Sequence, residues 1–331
     1  MQTRRLGPFQ VSTIGLGCMS LSHAYGVTPT PEEGARLLNR ALDLGYTFLD
    51  TAAMYGLGGN ETLLGDAISA RRDEYILASK CGFVVNADGS REISGRPESL
   101  KQTCEDSLRR LRTDVIDLYY LHRWDRRVPI EECVGALADL VAAGKIRSIG
   151  LSEVSAPTLR RAHAAHPITA LQTEYSPWTR NPEVAVLDAC RDLGVTFVAF
   201  SPVGRGFLAG GVRDIAALPA ADIRTSMPRF LGDNMTANLK LLDAYTALAK
   251  ELDCTPAQLS LAWLLAKGED IIPIPGTARI DHLEENLGAS VIELDAASVA
   301  RVDALINAKT VSGGRYTPAM QRTVDTEELA A

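Results

Sequence analysis

No apolar run in this sequence approaches the roughly 20 residues that a membrane-spanning helix needs. The opening MQTRRLGPFQ carries no apolar core of a secretion signal. Membrane insertion and export are therefore not expected, and a cytoplasmic location is. Positive charge is also short: 34 Lys and Arg stand against 41 Asp and Glu, a formal net charge of −7. Such a balance excludes a broad electrostatic footprint for nucleic acid, so any anionic ligand must be held by a local cluster of donors.

Cysteine usage excludes a disulfide scaffold. The six cysteines (Cys18, Cys81, Cys104, Cys133, Cys190 and Cys254) lie far apart and form no C-x-x-C, which reads as reduced thiols. Of the five histidines, only His163 and His166 are spaced like metal ligands. They sit in LRRAHAAHP, which reads as a solvated helix end, so no metal site is expected. A dinucleotide fingerprint is missing as well. GLGCMS, residues 15–20, is a near miss for G-x-G-x-x-G, but its last position is Ser20, and Pro29 and Pro31 delay the next helix. The fingerprint needs a helix N-terminus directly after the glycines, and an open doubly wound sheet loses its main support.

What is present is a rhythm. With 331 residues, 46% hydrophobic and 23% charged, the chain suits one α/β barrel domain over residues 1–331. Eight short β-rich runs recur: TIGLG, YTFLD, YILASK, VIDLYYL, IRSIGLS, ALQTEY, VTFVAF and DIIPIP. Longer segments of helical period separate them, including PEEGARLLNRALDLG, PESLKQTCEDSLRRL, PIEECVGALADLVAAG and PEVAVLDACRDLG. Proline at the front and glycine at the back of several marks helix start and stop. Alternation implies parallel strands with right-handed crossovers, and a count of eight favours a closed (β/α)8 TIM barrel. The opening TRRLGPFQVS reads as an N-terminal β-hairpin that could plug the barrel's bottom. After IIPIP come extra C-terminal helices, near 280–290 and 295–308, and a polar tail from Thr310.

Catalytic groups of parallel barrels project from the C-terminal strand ends. Read in order, those ends carry Asp50 and Tyr55, then Lys80, then His122. The four form a proton-handling set. A phenol is a weak acid, a neighbouring ammonium favours its phenolate, and a carboxylate holds the ammonium charged and oriented. An imidazole beside them could donate to an oxygen gaining negative charge.

Several stretches resemble the aldo-keto reductases: FLDTAAMYGLGGNETLLGDAI, YILASKCG, DVIDLYYLHRWD, GKIRSIGLSE, LQTEYSPW, VAFSPVGRGFL and IPIPGTARIDHLEENLGA. The likeness is nearest the bacterial and plant branch with SPLGRGFL-type and GTxR-type motifs, and it runs from GLGCMS to EENLGA. It implies reversible, metal-free reduction of an aldehyde or ketone to an alcohol by hydride transfer from NADPH. Tyr55 would be the general acid, Lys80 paired with Asp50 would tune it, and His122 would orient the carbonyl. The runner-up is an NADPH-binding regulatory subunit with little turnover, like the channel-associated members.

The later strand ends supply the cofactor cradle that the resemblance implies. Ser152, Glu153 and Gln172 could hydrogen-bond a carboxamide, and Phe200 offers a ring for stacking. Ser201, Pro202, Gly204 and Arg205 in SPVGRG, with Gly276 and Thr277 in PGTAR, suit phosphate. Arg279 would pair with a 2′-phosphate, Glu285 and Asn286 would hold the adenine, and Met19 completes the set. Three positions depart from commoner residues: Ala278 for Lys, Phe200 for Tyr and Glu153 for Asn. The loss of a lysine leaves NADH use open. The Gly- and Pro-broken segment 205–238 reads as a loop folding over the cofactor. The substrate pocket would draw on Tyr25, Met54, Phe83, Trp124 and the C-terminal tail, for a small-molecule carbonyl or alcohol. A monomer and a homo-oligomer both remain open.

Overall fold

In the computed structural model, which describes residues 2–22, 24–86 and 89–329, strands and helices alternate along the chain. A hairpin of β1 (Thr3–Leu6) and β2 (Phe9–Ser12) comes first. The barrel begins with β3 (Leu16–Gly17), β4 (Phe48–Asp50) and β5 (Ile76–Cys81). A second hairpin, β6 (Phe83–Val85) with β7 (Arg91–Ile93), then rises from the end of β5. The barrel resumes with β8 (Ile116–Leu121), β9 (Ile146–Ser152), β10 (Ala170–Glu174), β11 (Thr196–Phe200) and β12 (Ile271–Pro273). These eight barrel strands pair in parallel and in chain order.

The sheet closes on itself. Gly15 N–H donates to the Pro273 carbonyl at 3.0 Å and Gly17 N–H to that of Pro275 at 3.2 Å. Glycine is required at this seam: a Cβ on Gly17 would lie 2.9 Å from the Ile274 carbonyl oxygen, and one on Gly276 2.7 Å from Ser20 Oγ. Inside the barrel Phe48, Ala78, Leu118, Tyr120, Ala170, Val198 and Ile272 pack together, and Leu6 and Val11 of the hairpin join them from below. The hairpin therefore plugs the bottom, and the chemistry is left to the other end.

The helices form the outer ring: α1 (Pro31–Asp43), α2 (Gly59–Ile68), α3 (Pro97–Leu111), α4 (Ile130–Ala142), α5 (Ala156–Ala165), α6 (Val186–Leu193), α7 (Gly232–Glu251) and α8 (Pro256–Ala266). In α1 the apolar period buries Leu37, Leu38, Ala41 and Leu42 against the sheet. Its start is a reciprocal cap between Thr30 and Glu33, with Pro31 in the first turn; such a cap contributes about 0.5–2 kcal/mol. Beyond β12 lie α9 (Ile280–Gly288), α10 (Ala296–Leu305) and the short α11 (Pro318–Gln321). No helix among the described residues is long and apolar enough to cross a membrane.

Two sequence expectations are corrected here. The irregular segment expected over 205–238 ends earlier, because α7 begins at Gly232 and buries Met235, Asn238, Leu242 and Tyr245 at helical spacing. What precedes it is a series of short 3-10 turns pinned by Asp222, whose carboxylate accepts from Gly26 N–H at 2.7 Å and from Arg224. The tail, expected only as polar from Thr310 on, carries a short helix and packs back on the barrel. Asp325 N–H donates to the Glu153 carbonyl at 2.9 Å, and the Asp325 carboxylate accepts from Ser155 and Thr158 hydroxyls at 3.0 and 2.7 Å. The tail thereby caps α5 and returns to the end of β9.

Candidate active site

Asp50 is the last residue of β4, Lys80 lies in β5 one residue from its end, and His122 directly follows β8. Because all these strands run the same way, their C-terminal ends bring the side chains to one rim. Tyr55 enters on the short 3-10 turn after β4. Lys80 joins the set: its Nζ donates to Asp50 Oδ1, to the Thr51 carbonyl at 2.8 Å and to the Tyr55 hydroxyl at 3.3 Å. Gln172, from β10, donates to the other Asp50 oxygen at 2.7 Å. The His122 ring meets Tyr55 edge-on at 5.8 Å between centroids and Phe83 at 5.1 Å.

Burial sets the electrostatics. Asp50 is 2% exposed and Lys80 1%, so neither charge is affordable alone. Burial acts against the Lys80 ammonium, but the charge of Asp50, then that of Tyr55, and the hydrogen bonds to both hold it above the ordinary lysine value. For Tyr55, burial is the larger effect and raises the phenol above its usual range, while Lys80 pulls the other way. The lysine alone suggested a lowered value. Desolvation, which a sequence does not display, reverses the sign. The result is a phenol kept protonated next to a cation that would receive its phenolate.

The residues proposed for a cofactor fall into two groups. Ser152, Gln172, Phe200, Ser201, Gly204 and Arg205 gather at the ends of β9, β10 and β11. Glu153, Ser201 and Arg205 all have left-handed backbone, with φ of 57°, 48° and 60°, and Gly204 shares it at 59°. Such strain in non-glycine residues clusters at ligand sites. Phe200, the last residue of β11, is half-buried against the inner-barrel cluster, and Pro202 is anchored through its carbonyl by Ser260 at 2.6 Å. Gly276 is exposed beyond β12, and Thr277 Oγ1 accepts from Arg279 N–H at 3.0 Å before α9 begins. A flat ring, hydroxyls, open glycine backbone and a helix N-terminus fit a phosphate-bearing cofactor with an aromatic head. Arg279, Glu285 and Asn286 stand further along; Arg279 is exposed and pairs with Asp281, and Asn286 is buried within α9. Met19 is half-buried on the 3-10 turn after β3.

Two of these residues are already engaged. The Glu153 carboxylate accepts from Glu174 N–H at 2.9 Å and forms a buried ion pair with Arg315 of the tail. Arg205 pairs with Glu174 and donates to the hydroxyls of Tyr25 at 3.3 Å and Tyr316 at 3.2 Å. Glu153 thus anchors the tail rather than offering a free carboxylate. Glu174, Arg315, Tyr316 and Arg123 were not singled out from the sequence. The Glu in QTEYS, which ends β10, and the Arg in LHRWD, two residues beyond β8, could have been; nothing local points to the other two.

Of the substrate-pocket set, Phe83 touches His122, and Phe83 and Met54 line a groove of about 570 Å³ that runs out toward Arg91 and Gln102. Tyr25 meets Arg205. Trp124 is held by its own loop and by α5: its indole N–H donates to the Val128 carbonyl at 2.8 Å and its ring lies 5.9 Å from the Arg161 guanidinium. His163 lies in the last turn of α5, where its Nδ1 accepts from Ile168 N–H at 3.3 Å.

With this geometry in view, comparison with known proteins is informative. The model of the Aldo/keto reductase family matches residues 13–307. Aldo-keto reductase yakc [NADP(+)] of Schizosaccharomyces pombe is 44% identical over 323 residues, covering 96% of this chain and 94% of that protein. Probable aldo-keto reductase 1 of Glycine max is 43% identical over 309 residues, covering 93% and 89%. Among solved structures, the glycerol dehydrogenase AKR11B4 from Gluconobacter oxydans superposes with a TM-score of 0.85 at 25% identity, covering 96% of this chain and 98% of that one.

Proposed function

The chain belongs to the aldo/keto reductase family, and we propose from that premise that it reduces an aldehyde or ketone to an alcohol with NADPH in the cytoplasm. The observation that carries this reading is the reach of one ammonium. Lys80 Nζ touches the Asp50 carboxylate and the Tyr55 hydroxyl together, at the rim where the cofactor-type donors gather.

When bound, the cofactor supplies a hydride to the carbonyl carbon. The protein's part is the proton. Tyr55 is held as the neutral phenol and gives its proton to the carbonyl oxygen as negative charge develops there. The phenolate left behind faces Lys80 at hydrogen-bond distance, and Asp50, fixed on its far side by Gln172, keeps that lysine charged and in place. His122, edge-on to Tyr55, would direct the substrate oxygen toward the same proton. In the oxidation direction the phenolate takes the alcohol proton back.

Preference for NADPH is supported by the NADP(+) in the name of the Schizosaccharomyces pombe relative and by Arg279 at the start of α9. The test is a panel of aldehydes, ketones and alcohols with NADPH and with NADH. Steady carbonyl-dependent NADPH oxidation is expected. Tight NADPH binding with no turnover on any carbonyl would instead mark a regulatory binder.

A further inference from the structure

Arg123 directly follows His122 and lies outside the four residues of the proton-handling set. Its Nη1 donates to the His122 carbonyl at 2.7 Å and to Ser152 Oγ at 3.3 Å, which fixes the guanidinium on the rim between β8 and β9. The other groups that bear on it are Tyr316, to which it is hydrogen-bonded, Tyr55, Arg205 and Arg315. None of these is a carboxylate.

The neighbouring cations differ. Arg205 is paired with Glu174, and Arg315 with Glu153. Three arginines (123, 205 and 315) thus share two carboxylates (153 and 174), and the one left without an ion pair among the described residues is Arg123, the one acting on Tyr55. Half-buried on the rim, its guanidinium is pulled below the ordinary arginine value by burial. A guanidinium with unused N–H donors is suited to a planar, two-oxygen anion. Arg123 stands between β8 and β9, directly after His122 and bonded to Ser152, whereas the phosphate-type donors Ser201, Gly204, Gly276 and the start of α9 lie at the ends of β11 and β12.

We propose that Arg123 is the anion-recognising residue of the substrate pocket, and that the preferred carbonyl compound carries a carboxylate reaching Arg123 while its carbonyl lies between Tyr55 and His122. One surplus positive charge matches a monoanionic carboxylate better than a phosphate. The proposal names the substrate class of the carbonyl-reductase reading and rests on that reading.

The test compares a chain-length series of ω-oxoalkanoates with their methyl esters, as substrates of the intact enzyme with NADPH. Wild type should favour the acid at the chain length that spans the two points, and added salt should erode the preference. Arg123→Gln should lower the acid-to-ester ratio of kcat/KM roughly 10–150-fold, the range of one charge-assisted hydrogen bond. Arg123→Lys should restore part of the ratio. Turnover of the ester by the Gln variant serves as the control for folding, and titration with NADPH as the control for cofactor binding. Equal use of acid and ester by wild type would overturn the proposal while leaving carbonyl reduction standing. So would an Arg123→Gln variant that loses NADPH affinity and both substrates alike, which would assign Arg123 to the cofactor or the fold. Reduction of neither series nor any neutral aldehyde would overturn the carbonyl-reductase reading, and the Arg123 assignment with it.

Discussion

Gln172 donates to Asp50 at 2.7 Å on the oxygen that Lys80 does not use, so the buried carboxylate is satisfied from both sides. The lysine's position is therefore fixed from β10 as well as β4. This gives each member of the set a distinct expected phenotype.

Lys80→Met removes the cation proposed to receive the Tyr55 phenolate. The phenol, already held high by burial, should rise further, because only the lysine opposes burial strongly. Reduction needs the protonated form and is lost as pH rises through the Tyr55 pKa, so its alkaline limb should move to higher pH while the plateau falls. Oxidation, which needs the phenolate, should weaken at neutral pH. Asp50→Asn should shift both profiles less, since the lysine remains. Leaving Asp50 buried without its partner should also cost about 3–5 kcal/mol of stability, read by denaturant titration. Unchanged pH profiles in both variants would contradict the coupling.

The arginine proposed for the cofactor's 2′-phosphate is not idle. Arg279 is exposed and paired with Asp281, so a phosphate must displace or share that carboxylate. Arg279→Ala should weaken NADPH about tenfold, the low end for a charge-assisted contact, with NADH nearly unchanged. Asp281→Asn and Ala278→Lys should each tighten NADPH alone. Nucleotide titrations of the free enzyme decide it; equal losses for NADPH and NADH would place Arg279 in the fold or the adenine site.

The tail is tied by charge. Arg315→Met leaves the Glu153 carboxylate buried and short of its cation, so residues 311–328 should gain hydrogen-exchange rate and the protein should lose about 3–5 kcal/mol. Adding Glu153→Gln should recover much of that loss. A double variant no better than the single one would mean the pair is not the anchor.

How much of this was legible follows from where each signal sits. Asp50, Lys80 and His122 end apolar strand runs, so the alternation that identifies the barrel also places them on one rim. Arg315 and Glu153 are 162 residues apart, and the tail carries no periodic pattern to announce its return. The β6–β7 hairpin was missed because its strands are three residues each, shorter than any period can establish. The direction of the Tyr55 shift depends on desolvation, which appears only when the rim is assembled.

The most direct measurement is single-turnover reduction by Tyr55→Phe with NADPH already bound. The ring and its contact with His122 remain, and only the proton donor is lost. The expected result is NADPH affinity near that of wild type with a reduction rate roughly 100–10,000-fold lower, the usual worth of a positioned general acid. A near-normal rate in that variant would contradict the assignment of Tyr55 as the acid.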